Sequence, residues 1–125
     1  MINIINQDDT DVLAIEVTEE ITRDDYDMMV SAFERKLKKE ERIKVYVEFE
    51  SFDSIIPGVI REDLKFDTKH ANYFSRIAVV GDLKWKDWMT KTILPFTSAE
   101  VRYFSRSDRV IAKRWLSETT EVKDL

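Results

Sequence analysis

The chain has 125 residues, a formal net charge of −5 and no cysteine. This length suits one domain, and the missing cysteines exclude disulfides, thiolate chemistry and cysteine-based zinc sites. An acidic chain repels phosphate backbones and anionic lipid surfaces, so we expect no nucleic acid partner and no stable membrane association. MINIINQDD lacks the features of a signal peptide and no apolar run reaches the ~20 residues that span a bilayer, which predicts a soluble cytoplasmic protein.

The chain begins with a predicted antiparallel hairpin. Ile2 and Ile4 indicate a first strand, and the alternation of Leu13, Ile15 and Val17 indicates a second. The polar residues 7–11 between them form the predicted turn.

A first helix is predicted to follow the hairpin. Thr22 and Asp25 have the spacing of a capping box, which marks the first turn of a helix. The apolar stripe that should face the sheet consists of Tyr26, Met29, Val30, Phe33 and Leu37.

The third predicted strand has a period of two. Apolar Ile43, Val45, Val47 and Phe49 alternate with Lys44, Tyr46, Glu48 and Glu50. This pattern predicts one buried face and one wetter face, so the sheet should not be fully covered at this strand.

Residues 51–58, SFDSIIPG, are the least regular stretch and lead into a second predicted helix near Pro57. One apolar stripe of this helix consists of Ile60, Leu64, Ala71 and Phe74, and another consists of Phe66, His70 and Tyr73. Two stripes require two neighbours, and one of them is the sheet. The other is the preceding loop, the third helix, a second copy of the chain in a homodimer, or a bound apolar ligand.

The stretch IAVVGD indicates a central strand, because apolar residues 77–80 leave neither face polar. Gly81 and Asp82 end this strand on the side where open α/β sheets bind ligands, and the alternative is a turn in which Asp82 caps the next helix. Trp85, Trp88, Met89 and Thr92 then share one face of a third helix. They form core, line an apolar pocket or lie on a membrane.

The last strand is predicted at residues 101–104, and Ser107 is predicted to cap a final helix. The inner face of this helix should consist of Asp108, Ile111, Ala112 and Trp115. Residues 1–118 therefore form one predicted domain, and residues 119–125 a frayed tail.

Two motifs give the chain a family resemblance. RIAVVGD followed by a tryptophan, and a later YFxxxxxxIAxxWL, resemble the SpoIIAA-like family over nearly the whole chain. The matching positions are Asp63, Lys65, Phe66, His70, residues 76–82, Trp85, Trp88, Pro95, Phe96, residues 102–104, Ala112, Trp115 and Leu116. The resemblance implies an α/β domain of the STAS type with about five strands in a mixed sheet and about four helices mainly on one face. It also implies a relation in shape to CRAL-TRIO lipid-carrier domains.

A regulatory serine is a further implication of this resemblance. STAS anti-sigma antagonists carry a phosphorylatable serine, usually in a DSSG-like motif, at the junction after the third strand. Ser54 lies nearest to that position here, although the paired serine followed by glycine is missing. The alternative is a turn or capping serine.

The sequence offers little for catalysis. Asp63, Asp67 and His70 lie on one helical face and could bind a metal, but such groups are more often solvated or paired with lysines. With one histidine in the chain, a second imidazole for an acid–base relay is excluded. We therefore predict no enzyme activity, no catalytic residue, no metal and no cofactor.

The resulting function is a non-enzymatic cytoplasmic regulatory or protein-interaction module that acts through residues 52–58 and the neighbouring helix. The alternative is a carrier or sensor of an apolar small molecule or lipid between the second and third predicted helices. The ligand-binding candidates are Phe66, His70, Tyr73, Asp82, Trp85 and Trp88.

Overall fold

The structure is a computed structural model that describes residues 1–5, 11–19, 21–38, 42–50, 74–82, 84–92 and 99–117. Its strands are β1 (Ile2–Ile4), β2 (Val12–Val17), β3 (Ile43–Phe49), β4 (Phe74–Val80) and β5 (Glu100–Phe104). Its described helices are α1 (Arg23–Leu37), α2 (Lys84–Thr92) and α3 (Arg109–Ser117). The loop at 52–58 and the predicted tail lie outside the described residues. So does the predicted second helix apart from Phe74, and the prediction that Phe74 belongs to that helix is wrong, because it is the first residue of β4 and is buried in the hydrophobic core.

The five strands form one mixed sheet in the order β1-β2-β3-β4-β5. β1 and β2 are antiparallel, which confirms the predicted hairpin, and the remaining pairs are parallel. Because parallel connections are almost always right-handed, crossovers that proceed in one direction place their helices on one face. α1 and α2 accordingly share a face, whereas α3 follows the last strand and covers the opposite face.

The sheet therefore has a core on each side. The larger core consists of Ile2, Leu13, Ile15, Val17, Ala32, Phe33, Ile43, Val47, Phe49, Phe74, Ile77, Val79 and Trp85. The smaller core consists of Ala14, Tyr46, Ala78, Val80, Ala112, Trp115 and Leu116. Residues 77–80 of β4 contribute to both cores, which confirms that β4 is a central strand covered on both faces.

The prediction of a wetter face on β3 is wrong. Tyr46 is 1% exposed and Glu48 is 8% exposed, because α3 packs over them. The prediction assumed that the polar residues of an alternating strand are exposed. A polar residue can instead be buried when it forms hydrogen bonds with a buried partner.

The predicted start of α1 is confirmed. The Asp25 backbone N–H donates to Thr22 Oγ1 at 3.1 Å, and the Thr22 N–H donates to Asp25 Oδ2 at 3.0 Å. These two bonds form a capping box that satisfies otherwise unpaired groups of the first helical turn.

The start of the final helix differs from the prediction. A short 3₁₀ turn, Arg106–Asp108, precedes α3, so Ser107 lies inside this turn and does not cap the helix. The buried residues of α3 are Ala112, Trp115 and Leu116, whereas Ile111 is 52% exposed and not on the inner face. Across the described ranges, no helix has the length and apolar character needed to cross a bilayer.

Candidate functional site

A cleft opens where β4 and β5 end. Parallel strands finish at the same edge of a sheet, and side chains following them converge there. The cleft has a volume of about 400 Å³. Among the described residues it is lined by Val79, Gly81, Asp82, Lys86, Tyr103, Phe104 and Ser105.

Asp82 connects the end of β4 to the start of α2. Its Oδ1 accepts a hydrogen bond from the Lys84 backbone N–H at 3.0 Å, and its carbonyl accepts one from the Trp85 N–H at 3.2 Å. The structure thus confirms the alternative that Asp82 caps the next helix. The same residue lines the cleft. Asp82 therefore both caps α2 and lies at the edge where open α/β sheets bind ligands.

Gly81 is required by close packing behind the cleft. Its N–H donates to the Phe104 carbonyl at 3.1 Å, which joins the ends of β4 and β5. A Cβ at this position would lie 3.2 Å from Trp85 Cδ1 and 3.3 Å from the Phe49 carbonyl oxygen. A side chain would therefore press against the Phe49–Trp85 stack, whose ring centroids are 3.7 Å apart with an interplanar angle of 16°.

The charged residues of the cleft are Asp82 and Lys86, which lie one helical turn apart. Within the part of the chain that the structure describes, they form no ion pair with each other, and both are exposed. Burial raises the pKa of Tyr103 further above its ordinary value, which already lies well above neutral pH, so its hydroxyl is protonated and can donate a hydrogen bond. Among its described lining residues, the cleft thus combines one cation, one anion and the aromatic ring of Tyr103.

Ser105 lies at the rim and connects the cleft to α3. Its hydroxyl is 2.9 Å from the Ser107 hydroxyl and donates to Asp108 Oδ2 at 3.3 Å. These contacts hold the 3₁₀ turn that leads into α3. The cleft and the first turn of α3 are therefore neighbours at the same edge of the sheet.

A buried polar network anchors α3 to the sheet. Tyr46 Oη donates to Glu48 Oε1 at 2.8 Å, and Arg109 donates to both carboxylate oxygens, from Nε at 3.0 Å and Nη2 at 2.8 Å. Burial by itself would raise the pKa of Glu48, but the bonds from Tyr46 and Arg109 outweigh burial and hold it below its ordinary value. Glu48 is therefore ionised and held by a bidentate arginine at neutral pH.

The other end of α3 is held by β4 and β5. Arg76 Nη1 donates to the Trp115 carbonyl at 2.7 Å, and its guanidinium lies 4.8 Å from the centre of the Trp115 ring. The Arg102 guanidinium lies 5.3 Å from the same ring. Both ends of this helix are thus fixed by arginine contacts in addition to apolar packing.

The side of α3 that faces away from the sheet is exposed. At about 3.6 residues per turn, this side holds Val110, Arg114 and Ser117, with Ile111 and Lys113 at its two borders. We call these five residues the α3 outer face. Lys113 Nζ lies 5.3 Å from the centre of the Tyr46 ring. Val110 is 68% exposed and Ile111 is 52% exposed.

The α3 outer face has the opposite sign of charge to the whole chain. From residue 102 to residue 117 the basic residues are Arg102, Arg106, Arg109, Lys113 and Arg114, and the one acidic residue is Asp108. The chain as a whole carries a net charge of −5. Positive charge is therefore concentrated around α3.

The family follows from comparison with known proteins. Residues 12–117 match a family model described as SpoIIAA-like. The chain belongs to the SpoIIAA-like family. A crystal structure of an uncharacterized DUF3478-family protein with a SpoIIAA-like fold, from Shewanella loihica PV-4, is 27% identical to it. The match covers 93% of this chain and 92% of that chain with a TM-score of 0.60, and no curated protein matches.

The predicted site residues of this SpoIIAA-like domain fall in different places. Asp82 lines the cleft, Trp85 is 1% exposed in the larger core, and Trp88 lies on α2. The remaining candidates lie outside the described residues: Ser54, Asp63, Phe66, Asp67, His70 and Tyr73. Within the described ranges, no three histidine or acidic residues are grouped so that they could hold a metal ion.

The SpoIIAA-like domain also has features that sequence reasoning missed. Lys86, Tyr103, Phe104 and Ser105 line the cleft but were not predicted site residues. The available signal was topological, because Tyr103 and Phe104 end a strand that pairs in parallel with β4. The network of Tyr46, Glu48 and Arg109 had no comparable signal in the sequence.

Proposed function

We propose that this SpoIIAA-like domain is a non-enzymatic regulatory module that acts by binding another protein. The loop at 52–58, which was predicted to mediate this role, lies outside the described residues. The described surface that best supports the proposal is the α3 outer face. Val110 and Ile111 are both more than half exposed there, on a helix whose opposite side is buried.

The charge around α3 indicates the chemistry of the partner. Lys113 and Arg114 lie close to Val110 and Ile111 on α3, whereas Arg109 is paired with Glu48. An acidic segment that carries a few apolar side chains complements this surface. The acidic remainder of the domain repels partners of the same sign that approach elsewhere. Partner choice is therefore directed to α3.

An anionic membrane fits this surface less well than an acidic protein segment does. Membrane-surface helices insert a broad apolar face, whereas the exposed apolar residues on α3 are Val110 and Ile111. The larger apolar residues of the helix, Trp115 and Leu116, are buried against the sheet. Their burial leaves too little apolar area for stable insertion into lipid.

The attachment of α3 supports recognition by a preformed surface. Arg109 holds the first turn to Glu48, and Arg76 holds the last turn through the Trp115 carbonyl. A helix held at both ends loses little conformational freedom on binding. The proposal that the domain has no turnover is supported by the sequence, which has no cysteine and one histidine.

The proposal is tested with a photo-crosslinking amino acid placed at position 110 of α3, or at Met28 as a control. Met28 is 41% exposed on α1, on the other face of the sheet. We expect position 110, and not position 28, to crosslink in cells to an acidic segment of another protein. The crosslinked peptide is then identified by mass spectrometry and its protein is purified.

Affinity for that purified protein decides the question. Val110→Asp and Arg114→Glu should weaken binding by at least about tenfold, whereas Met28→Asp and Arg35→Glu on α1 should leave it within about twofold. Equal losses in both pairs would refute the assignment to α3. Crosslinking of position 110 to a second copy of the chain would show that α3 forms a homodimer interface instead. Binding to anionic vesicles alone would show that α3 binds a membrane surface instead.

The alternative function, a carrier of an apolar molecule or lipid between the second and third predicted helices, stays a prediction. Phe66, His70 and Tyr73 lie outside the described residues. Trp85 is 1% exposed and stacks on Phe49 in the larger core. Organic extraction of the purified protein, followed by mass spectrometry, would reveal such a ligand.

A further inference from the structure

We propose that the cleft between β4, β5 and the start of α2 binds a small zwitterion with an apolar side chain, as found in a hydrophobic α-amino acid. The cleft is separate from the α3 outer face, so this inference does not rest on the protein-binding function. It rests on the opposite charges, the apolar lining with the ring of Tyr103, and the volume of the cleft.

The charges of the cleft complement those of an amino acid. Lys86 offers an ammonium group for a carboxylate, and Asp82 offers a carboxylate for an ammonium group. Asp82 uses Oδ1 to cap α2, and in the described part of the chain the structure gives Oδ2 no further partner. Neither charge is neutralised by the other within these residues, so both are available to a ligand.

The lining between these charges is mostly apolar. Val79 and Tyr103 contribute hydrocarbon and aromatic surface on the α2 side of the sheet. The Phe104 ring lies on the opposite side, where its centroid is 6.1 Å from that of Trp115. The surface of Val79 and Tyr103 favours an aliphatic or aromatic side chain, and polar groups at the margin fix its orientation. A ligand with a single charge would leave either Lys86 or Asp82 without a partner in the cleft.

The size of the cleft suits a small molecule. Its volume of about 400 Å³ lies near the lower end of the range of about 300–1,000 Å³ that is usual for ligand pockets. Gly81 adds no side chain to this space, and the Phe49–Trp85 stack lies directly behind it. An amino acid fits these limits better than a long-chain amphiphile does.

The inference is tested by titrating the purified full chain with L-phenylalanine, followed by NMR chemical shifts and calorimetry. 3-Phenylpropanoate and 2-phenylethylamine serve as ligands that each keep the ring and one charge. We expect saturable binding of phenylalanine, with each single-charge ligand at least about tenfold weaker. No saturable binding of phenylalanine, or equally tight binding of either single-charge ligand, would overturn the proposal.

Two variants assign the charges. Lys86→Met should weaken the binding of phenylalanine by at least about tenfold but leave the binding of 2-phenylethylamine unchanged, because only a ligand carboxylate loses its partner. Asp82→Ser keeps a residue that can cap α2. It should weaken the binding of phenylalanine but leave the binding of 3-phenylpropanoate unchanged. Loss of phenylalanine binding in the control Lys113→Met, to the same extent as in Lys86→Met, would refute the assignment.

The two proposals fail separately. Val110→Asp lies on the α3 outer face and should retain phenylalanine binding, whereas Lys86→Met should retain binding of the protein partner. Lys86 is exposed on α2, so Lys86→Met tests the cleft even if Asp82→Ser prevents folding.

Discussion

Replacement of Trp85 by alanine tests whether this indole is part of the core. The side chain is 1% exposed and stacks on Phe49 at 3.7 Å. Burying an indole removes about 150–250 Å² from water, which at about 25 cal/mol per Å² corresponds to about 4–6 kcal/mol. Alanine retains part of this burial but leaves a cavity, so we expect Trp85→Ala to lower the free energy of unfolding by about 3–5 kcal/mol.

The measurement is urea unfolding followed by far-UV circular dichroism, because the substitution also removes a fluorophore. Val110→Ala provides the control, since Val110 is 68% exposed and its truncation should change stability by less than about 0.5 kcal/mol. A loss below about 1 kcal/mol for Trp85→Ala, with an unchanged denaturant slope, would refute the reasoning. It would place the indole at a pocket or an interface instead of in the core.

Four further substitutions test the contacts around the two sites by the same unfolding measurement. Gly81→Ala forces a methyl group against the stack behind the cleft and should cost about 1–3 kcal/mol; an unchanged stability would show that the stack can move. Tyr46→Phe removes a 2.8 Å bond to an ionised acceptor and should cost about 1.5–3 kcal/mol; an unchanged stability would contradict this. The folded-state pKa of Glu48 lies below its ordinary value of 4.5, so ionised Glu48 stabilises the fold fully above pH 4.5. This stabilisation is lost as the pH falls through the lowered, folded-state pKa. Glu48→Gln should therefore flatten the acid side of the stability profile, and an unchanged slope below about pH 4.5 would contradict this. Thr22→Ala removes the α1 cap and should cost about 1 kcal/mol, with Thr22→Ser as the control that retains it.

Local patterns in the sequence predicted the elements whose structure depends on neighbouring residues. The capping box of Thr22 and Asp25 needs two residues three positions apart, and it is present as predicted. The central position of β4 followed from an uninterrupted apolar run, which only a strand covered on both faces requires. The antiparallel pairing of β1 and β2 followed from a short polar connection between two strands.

Features that depend on distant residues could not be predicted in the same way. Glu48 looks like a solvent-facing residue in an alternating strand, and its partner Arg109 comes 61 positions later. Ile111 looks like an inner residue until the 3₁₀ turn before α3 sets which side of that helix meets the sheet. The burial of Glu48 and the exposure of Ile111 both depend on how α3 packs on the sheet. The periodicity of residues within one helix or strand does not specify that packing.

Part of the cleft could be predicted from local sequence, and part could not. Gly81 and Asp82 directly follow a recognisable central strand, so their place at the ligand side of the sheet could be inferred. Phe104 and Ser105 reach the cleft only because β5 pairs in parallel with β4. That pairing joins residues more than 20 positions apart, and no residue pattern near either strand specifies it.

The order of the strands has a consequence for how the chain assembles during synthesis. Each strand from β2 to β5 pairs with the strand that left the ribosome before it, so the sheet can grow by addition at one edge. The face under α3 is different, because Ala14, Tyr46, Ala78 and Val80 are made long before the helix that covers them. A nascent chain that has reached β5 therefore exposes this apolar face, and we expect chaperone binding and aggregation to concentrate there until α3 emerges.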